Sequence, residues 1–218
     1  MLPKTPPIRL SLASALALSL VLVAAPATYA AENSDLPEGW YIITDEGRTA
    51  IPESVQFPES SSESPEGDGE VTPSLIGFDQ WFACYTLGQS DTVFVSYDWA
   101  WNGTVSTKEL KCGTSGWGYR HIENGHQTDW QNKLDVVQAA GYGTGYSWDD
   151  VMAVGVYAGL AYPDYVREQP ANNKICVVGA LGYYTDAGAL IDSFNVVTSF
   201  ATDSTRVITS FPTSSSTC

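Results

Sequence analysis

Apolar and polar residues alternate along Thr92 to Trp99 (TVFVSYDW), and a second alternating run, Thr104 to Leu110, follows directly after Asn102-Gly103. A period of two sends every second side chain to one face, and Asn-Gly is the strongest short signal for a tight hairpin turn. The spacing predicts a β-hairpin or meander in the first third of the folded region. The period then changes. Ile122, His126, Trp130, Leu134 and Val137 recur at helical steps and stop before Gly141, which predicts a helix over Ile122 to Ala140. After the glycine-rich GYGTGY loop, Ser147 with Asp150 three positions on makes a capping-box start for a second helix, Trp148 to Leu160. Beyond Pro163 come three runs of strand-like composition, Lys174 to Tyr184, Ala189 to Phe200 and Thr205 to Phe211, separated by polar turn segments. Helices followed by consecutive strands predict an α+β domain, with two helices packed on one face of an antiparallel β-sheet and the hairpin as an N-terminal extension.

The polar pattern before residue 75 is different. Lys4 and Arg9 precede an apolar run from Leu12 to Ala25, and Thr28-Tyr29-Ala30 has the small-x-small form of a cleavage site. Residues 1–30 therefore read as a secretory signal peptide, with an uncleaved anchor as the alternative; after its removal no stable membrane insertion is expected. Residues 31–74 are rich in Glu, Ser, Pro and Gly, and such composition buries too little apolar surface to offset the entropy of ordering, so a flexible acidic tether is expected. Its exception is Trp40-Tyr41-Ile42-Ile43, apolar enough for a short strand or for a linear docking motif. The folded domain is expected over residues 75–218.

Charge narrows the function classes. The chain carries a formal net charge of −15, and from Phe78 onward seven Lys/Arg stand against fourteen Asp/Glu, a net of −7. Non-specific nucleic-acid binding runs on phosphate neutralisation and fits such a surface poorly, so an anionic substrate needs a local cluster of cations. Four cysteines, Cys84, Cys112, Cys176 and Cys218, are widely spaced and include no C-x-x-C pair. In an exported chain an even count predicts two disulfides rather than free thiols, with three connectivities open.

The candidate chemistry concentrates in Lys111 to Trp130, KCGTSGWGYRHIENGHQTDW, which holds both histidines of the chain. Imidazole is the side chain whose unperturbed pKa makes both proton donor and acceptor available near neutrality, so His121 and His126 are the general acid/base candidates. Arg120 and Lys111 are candidate phosphate clamps, with Arg206 in reserve. No H-E-x-x-H, Cys-rich metal site or G-x-S-x-G elbow occurs, so neither a metal nor another cofactor is expected.

The GYRHIxxxH segment leading into a helix, a second helix, and three strands ending in RVITSFPT together resemble the barnase, EndoU, colicin and RelE group of ribonuclease domains, and in particular the nuclease-like toxin domains of exported bacterial proteins. The resemblance spans about Lys111 to Thr213. It implies a helix pair on an antiparallel sheet and metal-independent RNA cleavage, in which the 2′-hydroxyl attacks phosphorus and leaves a 2′,3′-cyclic phosphate. It places the acid/base histidine at His121 and a phosphate-binding hydroxyl at Thr209, makes RNA the expected substrate, and suggests an immunity protein as partner of a monomeric toxin.

Each of these residues also has a structural reading. His126 lies on the apolar stripe of its helix and could be a core histidine. In an ideal helix His121 and His126 point about 140° apart, so convergence is expected only if the helix starts after His121. Arg120 could pair with Asp129 or Glu123, Thr209 could be an ordinary sheet residue, and strand alternation separates Arg206 from Thr209 unless a bulge intervenes. The alternative function is a catalytically inactive, disulfide-stabilised secreted binding protein whose tryptophans form a recognition surface.

Overall fold

The computed structural model describes residues 37–52, 55 and 75–218. The expected signal peptide and most of the acidic segment lie outside the described residues. In chain order the elements are β1 (Gly39–Thr44), β2 (Gly47–Ala50), α1 (Phe78–Trp81) running into a π-helical turn (Phe82–Thr86), β3 (Val93–Trp101), β4 (Thr104–Lys111), α2 (Tyr119–Ala139), α3 (Trp148–Ala161), β5 (Tyr165–Gln169), a 3-10 turn (Pro170–Asn172), β6 (Lys174–Tyr184), β7 (Leu190–Ala201) and β8 (Val207–Thr213). The class is α+β, with antiparallel sheets.

The main sheet runs β2-β1-β6-β7-β8, and β5 shares the outer edge of β6 with β1. β1 pairs with the second half of β6, from Ala180 to Tyr184, and β5 with the first half, from Lys174 to Val178. The WYII patch is thus a strand of the domain. Trp40, Tyr41 and Ile42 are buried, Trp40 edge-on to Tyr183 and Phe194. Residues 39–50 therefore belong to the folded unit rather than to a tether, because three consecutive large apolar side chains outweigh the acidic composition on either side. β5 and α1 were not anticipated from the sequence, since YVREQ is short with two charged residues in five and FDQW is a single turn.

β3 and β4 form a separate two-stranded ribbon, turning at Asn102 and Gly103 with φ of 49° and 77°. Positive φ at both central residues is what the tight hairpin demands and what Asn-Gly supplies. The ribbon docks on β7: Trp99 meets Phe200 edge-on, and the buried Lys108 ammonium donates to the carbonyls of Ala201 and Ser204, both at 3.2 Å.

α2 and α3 cover the sheet. Ser147 caps α3 with the reciprocal Asp150 box that its sequence predicts. Gly155 and Gly159 make a flat face on α3, and a Cβ added at Gly155 would lie 2.4 Å from the Trp130 indole of α2. On β6, a Cβ at Gly179 would lie 2.6 Å from the Ala158 carbonyl oxygen, so the α3 backbone rests directly on the sheet. Trp130, Leu134, Trp148, Val151, Met152 and Val196 fill the layer between. The disulfides are Cys84–Cys112 and Cys176–Cys218.

Candidate functional site

The site is built where β4, α2 and β8 meet. Cys112 directly follows β4, and the loop to α2 folds so tightly that Cβ atoms added at Gly113 or Gly118 would lie 2.0 Å from Trp117 O or 2.7 Å from Lys111 O. Two backbone bonds fix its outcome: the Gly118 N–H donates to Ile208 O of β8 at 3.0 Å, and the Arg120 N–H donates to Cys112 O at 3.0 Å. The first turn of α2 is thereby held against the edge strand of the sheet.

His121 and His126 converge. Their ring centroids lie 6.3 Å apart with planes at 85°, although the helix begins at Tyr119, before both. The expectation that a helix through His121 would separate them is thus corrected. Gly125 falls inside the 140° arc between the two side chains, and open space surrounds the position its Cβ would take. Both rings can lean across that gap. His121 Nδ1 lies 2.8 Å from Ser115 O, and His126 Nδ1 lies 3.0 Å from Asp129 Oδ2. A carbonyl and a carboxylate only accept, so Nδ1 of each ring carries the proton and Nε2 is the atom left to exchange one. His126 also stacks on Phe211 of β8, centroids 4.7 Å apart. It is neither a sealed core residue nor a free one: a quarter of its side chain is open to solvent.

The cations are distributed unevenly. Arg120 pairs with neither expected carboxylate: Glu123 accepts a 2.6 Å hydrogen bond from the Tyr85 hydroxyl, and Asp129 serves His126. The half-buried Arg120 instead has its guanidinium 5.8 Å from the Tyr85 ring centroid. Lys111 is turned to Glu109 and Asp91, at 3.3 and 3.6 Å. The Thr205 hydroxyl, followed by Lys111, holds the Glu109 carboxyl below its ordinary value against the opposing effect of burial. Arg206 sits 5.5 Å from the Trp117 ring centroid.

Thr209 pairs with Ser199, and its Oγ1 is buried without a hydrogen-bond partner among the described residues. The register between β7 and β8 shifts at Ser199/Phe200, and Val207 and Ser210, three apart, are both buried. A bulge therefore does intervene, and it returns Arg206 and Thr209 to the same side of β8 by count. Ser210 is accounted for structurally, its hydroxyl 3.0 Å from that of Thr198 and its carbonyl accepting from the Trp130 indole at 3.2 Å.

The geometry brings two imidazoles together against the edge strand β8, with the Arg120 guanidinium on the first turn of the same helix, turned to Tyr85. Among the described residues no group of three or more His, Cys, Asp or Glu is arranged to hold a metal ion, and no helix is long and apolar enough to cross a membrane. Sequence reading missed Tyr85, Ser115 and Phe211. Tyr85 reaches the site through the Cys84–Cys112 link, and nothing in the sequence selects that pairing from the three open ones. Comparison of the chain with protein-family models, with curated proteins and with solved structures returns no match.

Proposed function

We propose that the protein is an exported, metal-independent ribonuclease that cleaves RNA by 2′-hydroxyl attack to a 2′,3′-cyclic phosphate. The observation that carries the reading is the pair of partly exposed imidazoles 6.3 Å apart, each with Nδ1 engaged and Nε2 available. Such cleavage needs a base on the 2′-oxygen and an acid on the departing 5′-oxygen, on opposite sides of one phosphorus. The Nε2 atoms of His121 and His126 are the candidates for these two roles, with Nδ1 of His126 held by the Asp129 carboxylate and Nδ1 of His121 by the Ser115 carbonyl. Arg120, which makes no ion pair among the described residues and stands on the first turn of the same helix, is the candidate to offset charge on the phosphorane oxygens. The helix pair on the β6-β7-β8 meander is the arrangement that the resemblance to the barnase, EndoU, colicin and RelE group implies, and two disulfides suit an oxidising compartment. A toxin role with an immunity partner belongs to the same reading.

The test is incubation of the purified protein with single-stranded RNA, with and without chelator. Cyclic-phosphate products are expected in both, and His121→Ala or His126→Ala is expected to lower the rate by about 10²- to 10⁴-fold. Unchanged turnover by either alanine variant removes that residue from the mechanism. No cleavage by the wild type leaves a secreted binding protein as the reading.

A further inference from the structure

The four aromatic residues Phe78, Trp81, Phe82 and Tyr85 stand at i, i+3, i+4 and i+7 along α1 and the π-helical turn, the spacing of a single helix face. That face is turned outward. Phe78 is 75% exposed, Trp81 44% and Phe82 40%, while the other side of the turn is anchored by fully buried Cys84. The ring planes are nearly parallel: Phe78 and Trp81 at 23°, Phe78 and Phe82 at 26°, Trp81 and Tyr85 at 24°, with centroids 5.8 to 6.4 Å apart. The set is rigidly placed. The Cys84–Cys112 disulfide ties it to the loop before α2, the Gln80 amide donates to Val93 O of β3 at 3.0 Å, and Glu123 of α2 holds the Tyr85 hydroxyl.

We propose that this aromatic ladder is a stacking subsite for the bases of a single-stranded nucleic acid; the inference rests on the ribonuclease reading and names the substrate class of the same site. The ladder ends on the first turns of α2, the helix that carries both histidines. Its last ring, Tyr85, has the Arg120 guanidinium 5.8 Å from its centroid, and the residue after Arg120 is His121. A strand whose bases lie on Phe78 and Trp81 brings its backbone past Arg120, and the next phosphate towards the two imidazoles. Every base has a π-face, so near-parallel rings accept any sequence, and a guanidinium at the end of the row suits a polyanion. A hydrocarbon surface or a neutral glycan has no use for that cation. The ladder also answers the acidity of the domain: affinity comes from stacking, with one local cation, rather than from a basic surface.

Binding is measured by fluorescence anisotropy with a labelled 2′-O-methyl single-stranded oligonucleotide of roughly eight nucleotides. The 2′-O-methyl group removes the nucleophile, so binding is read independently of cleavage. Trp81→Ala and Phe78→Ala are each expected to weaken binding about tenfold or more, Trp81→Phe to retain most of it, and the matching duplex to bind more weakly. Both sites are exposed, and an unchanged Tm shows that the variants are folded. Equal binding by Trp81→Ala, equal binding of the duplex, or no binding by the wild type overturns the proposal. So does wild-type self-association that Trp81→Ala abolishes when the oligonucleotide does not bind, because the ladder is then a protein interface. The two readings separate cleanly: binding without RNA cleavage sinks the acid/base assignment and leaves the ladder, whereas RNA cleavage with binding indifferent to Trp81 sinks the ladder and leaves the histidines.

Discussion

At the scale of single residues, the helix surface between the two histidines is kept open by Gly125. A glycine inside an exposed helix turn costs stability, about 0.8–1 kcal/mol relative to alanine, and here it is surrounded by open space that a side chain could occupy. Gly125→Ala is therefore expected to raise the urea midpoint by the equivalent of about 0.8 kcal/mol, while Gly125→Leu, which fills the gap between the rings, is expected to be stable and to lose RNA cleavage. A fully active Gly125→Leu protein would mean that the rings do not need to approach. A second residue carries its own signature. Asp149 is fully buried, accepts from the Tyr119 hydroxyl at 3.2 Å, and shares the Ser147 hydroxyl with Asp150. One hydroxyl proton cannot be donated to two carboxylates at once, and a proton on Asp149 resolves the conflict. Burial is the main cause, with the Asp150 charge adding to it, that pushes the Asp149 carboxyl up to about 6, against the ordinary 3.8. A group whose folded pKa is raised stabilises fully below its unfolded pKa, and that contribution is lost as pH rises through the folded value. Wild type should therefore gain about 2 kcal/mol from this group between pH 7.5 and pH 4, a gain that Asp149→Asn lacks. Urea unfolding of both proteins at the two pH values measures the difference, and parallel curves would mean that Asp149 is not the titrating group.

At the scale of elements, the two disulfides close loops of similar length but should separate into different roles. Cys84–Cys112 spans 28 residues and Cys176–Cys218 spans 42, and chain-entropy reasoning gives about 3.5 and about 4 kcal/mol respectively. The first fixes the aromatic turn and Tyr85 against α2. The second ties the tail beyond β8 back to β6, where Arg167 donates to Cys218 O at 3.3 Å. The Cys176→Ser/Cys218→Ser variant is expected to lose stability and keep cleavage under native conditions, while Cys84→Ser/Cys112→Ser is expected to lose a similar stability and also oligonucleotide affinity. Equal affinity in both would detach the aromatic turn from the site. The elements differ in how far they could be read in advance. α2, α3 and the β6-β7-β8 meander are legible because their apolar periods are long and their ends are marked by Ser147-Asp150, Gly141 and polar turns. β5 is not, because two of its five residues are charged and its pairing with β6 is decided by what β1 leaves uncovered. The histidines are legible as residue types, but their convergence is not: it depends on the absent side chain at Gly125 and on Phe211, which lies 85 positions beyond His126 in the sequence. Tyr85 and Arg120 meet through a disulfide whose pairing no local pattern encodes.

At the scale of the whole molecule, the fold is closed by its first described segment rather than by its last. β1 completes the sheet on the side of β6 opposite β7, and its Trp40 packs against Tyr183 and Phe194, residues of both central strands. Tyr183 donates to Glu38 at 2.7 Å just ahead of β1. Burial of side chains such as Trp40, Tyr41 and Ile42 contributes about 1.5–3 kcal/mol each, and their removal also strips the β6 edge of its backbone partners from Ala180 to Tyr184. Those losses together match the whole stability of a typical domain, about 5–15 kcal/mol. A protein lacking residues 1–52 is therefore expected to show no cooperative thermal transition by circular dichroism, even though the helices, the meander and both histidines remain in the chain. A cooperative transition within a few degrees of the full-length protein would show that β1 is an accessory strand. The distinction bears on the site, because Phe194 of β7 touches both Trp40 and Trp130, and Trp130 bonds the carbonyl of Ser210, next to the Phe211 on which His126 rests. β1 thus reaches the edge strand that His126 leans on through two tryptophans and one phenylalanine.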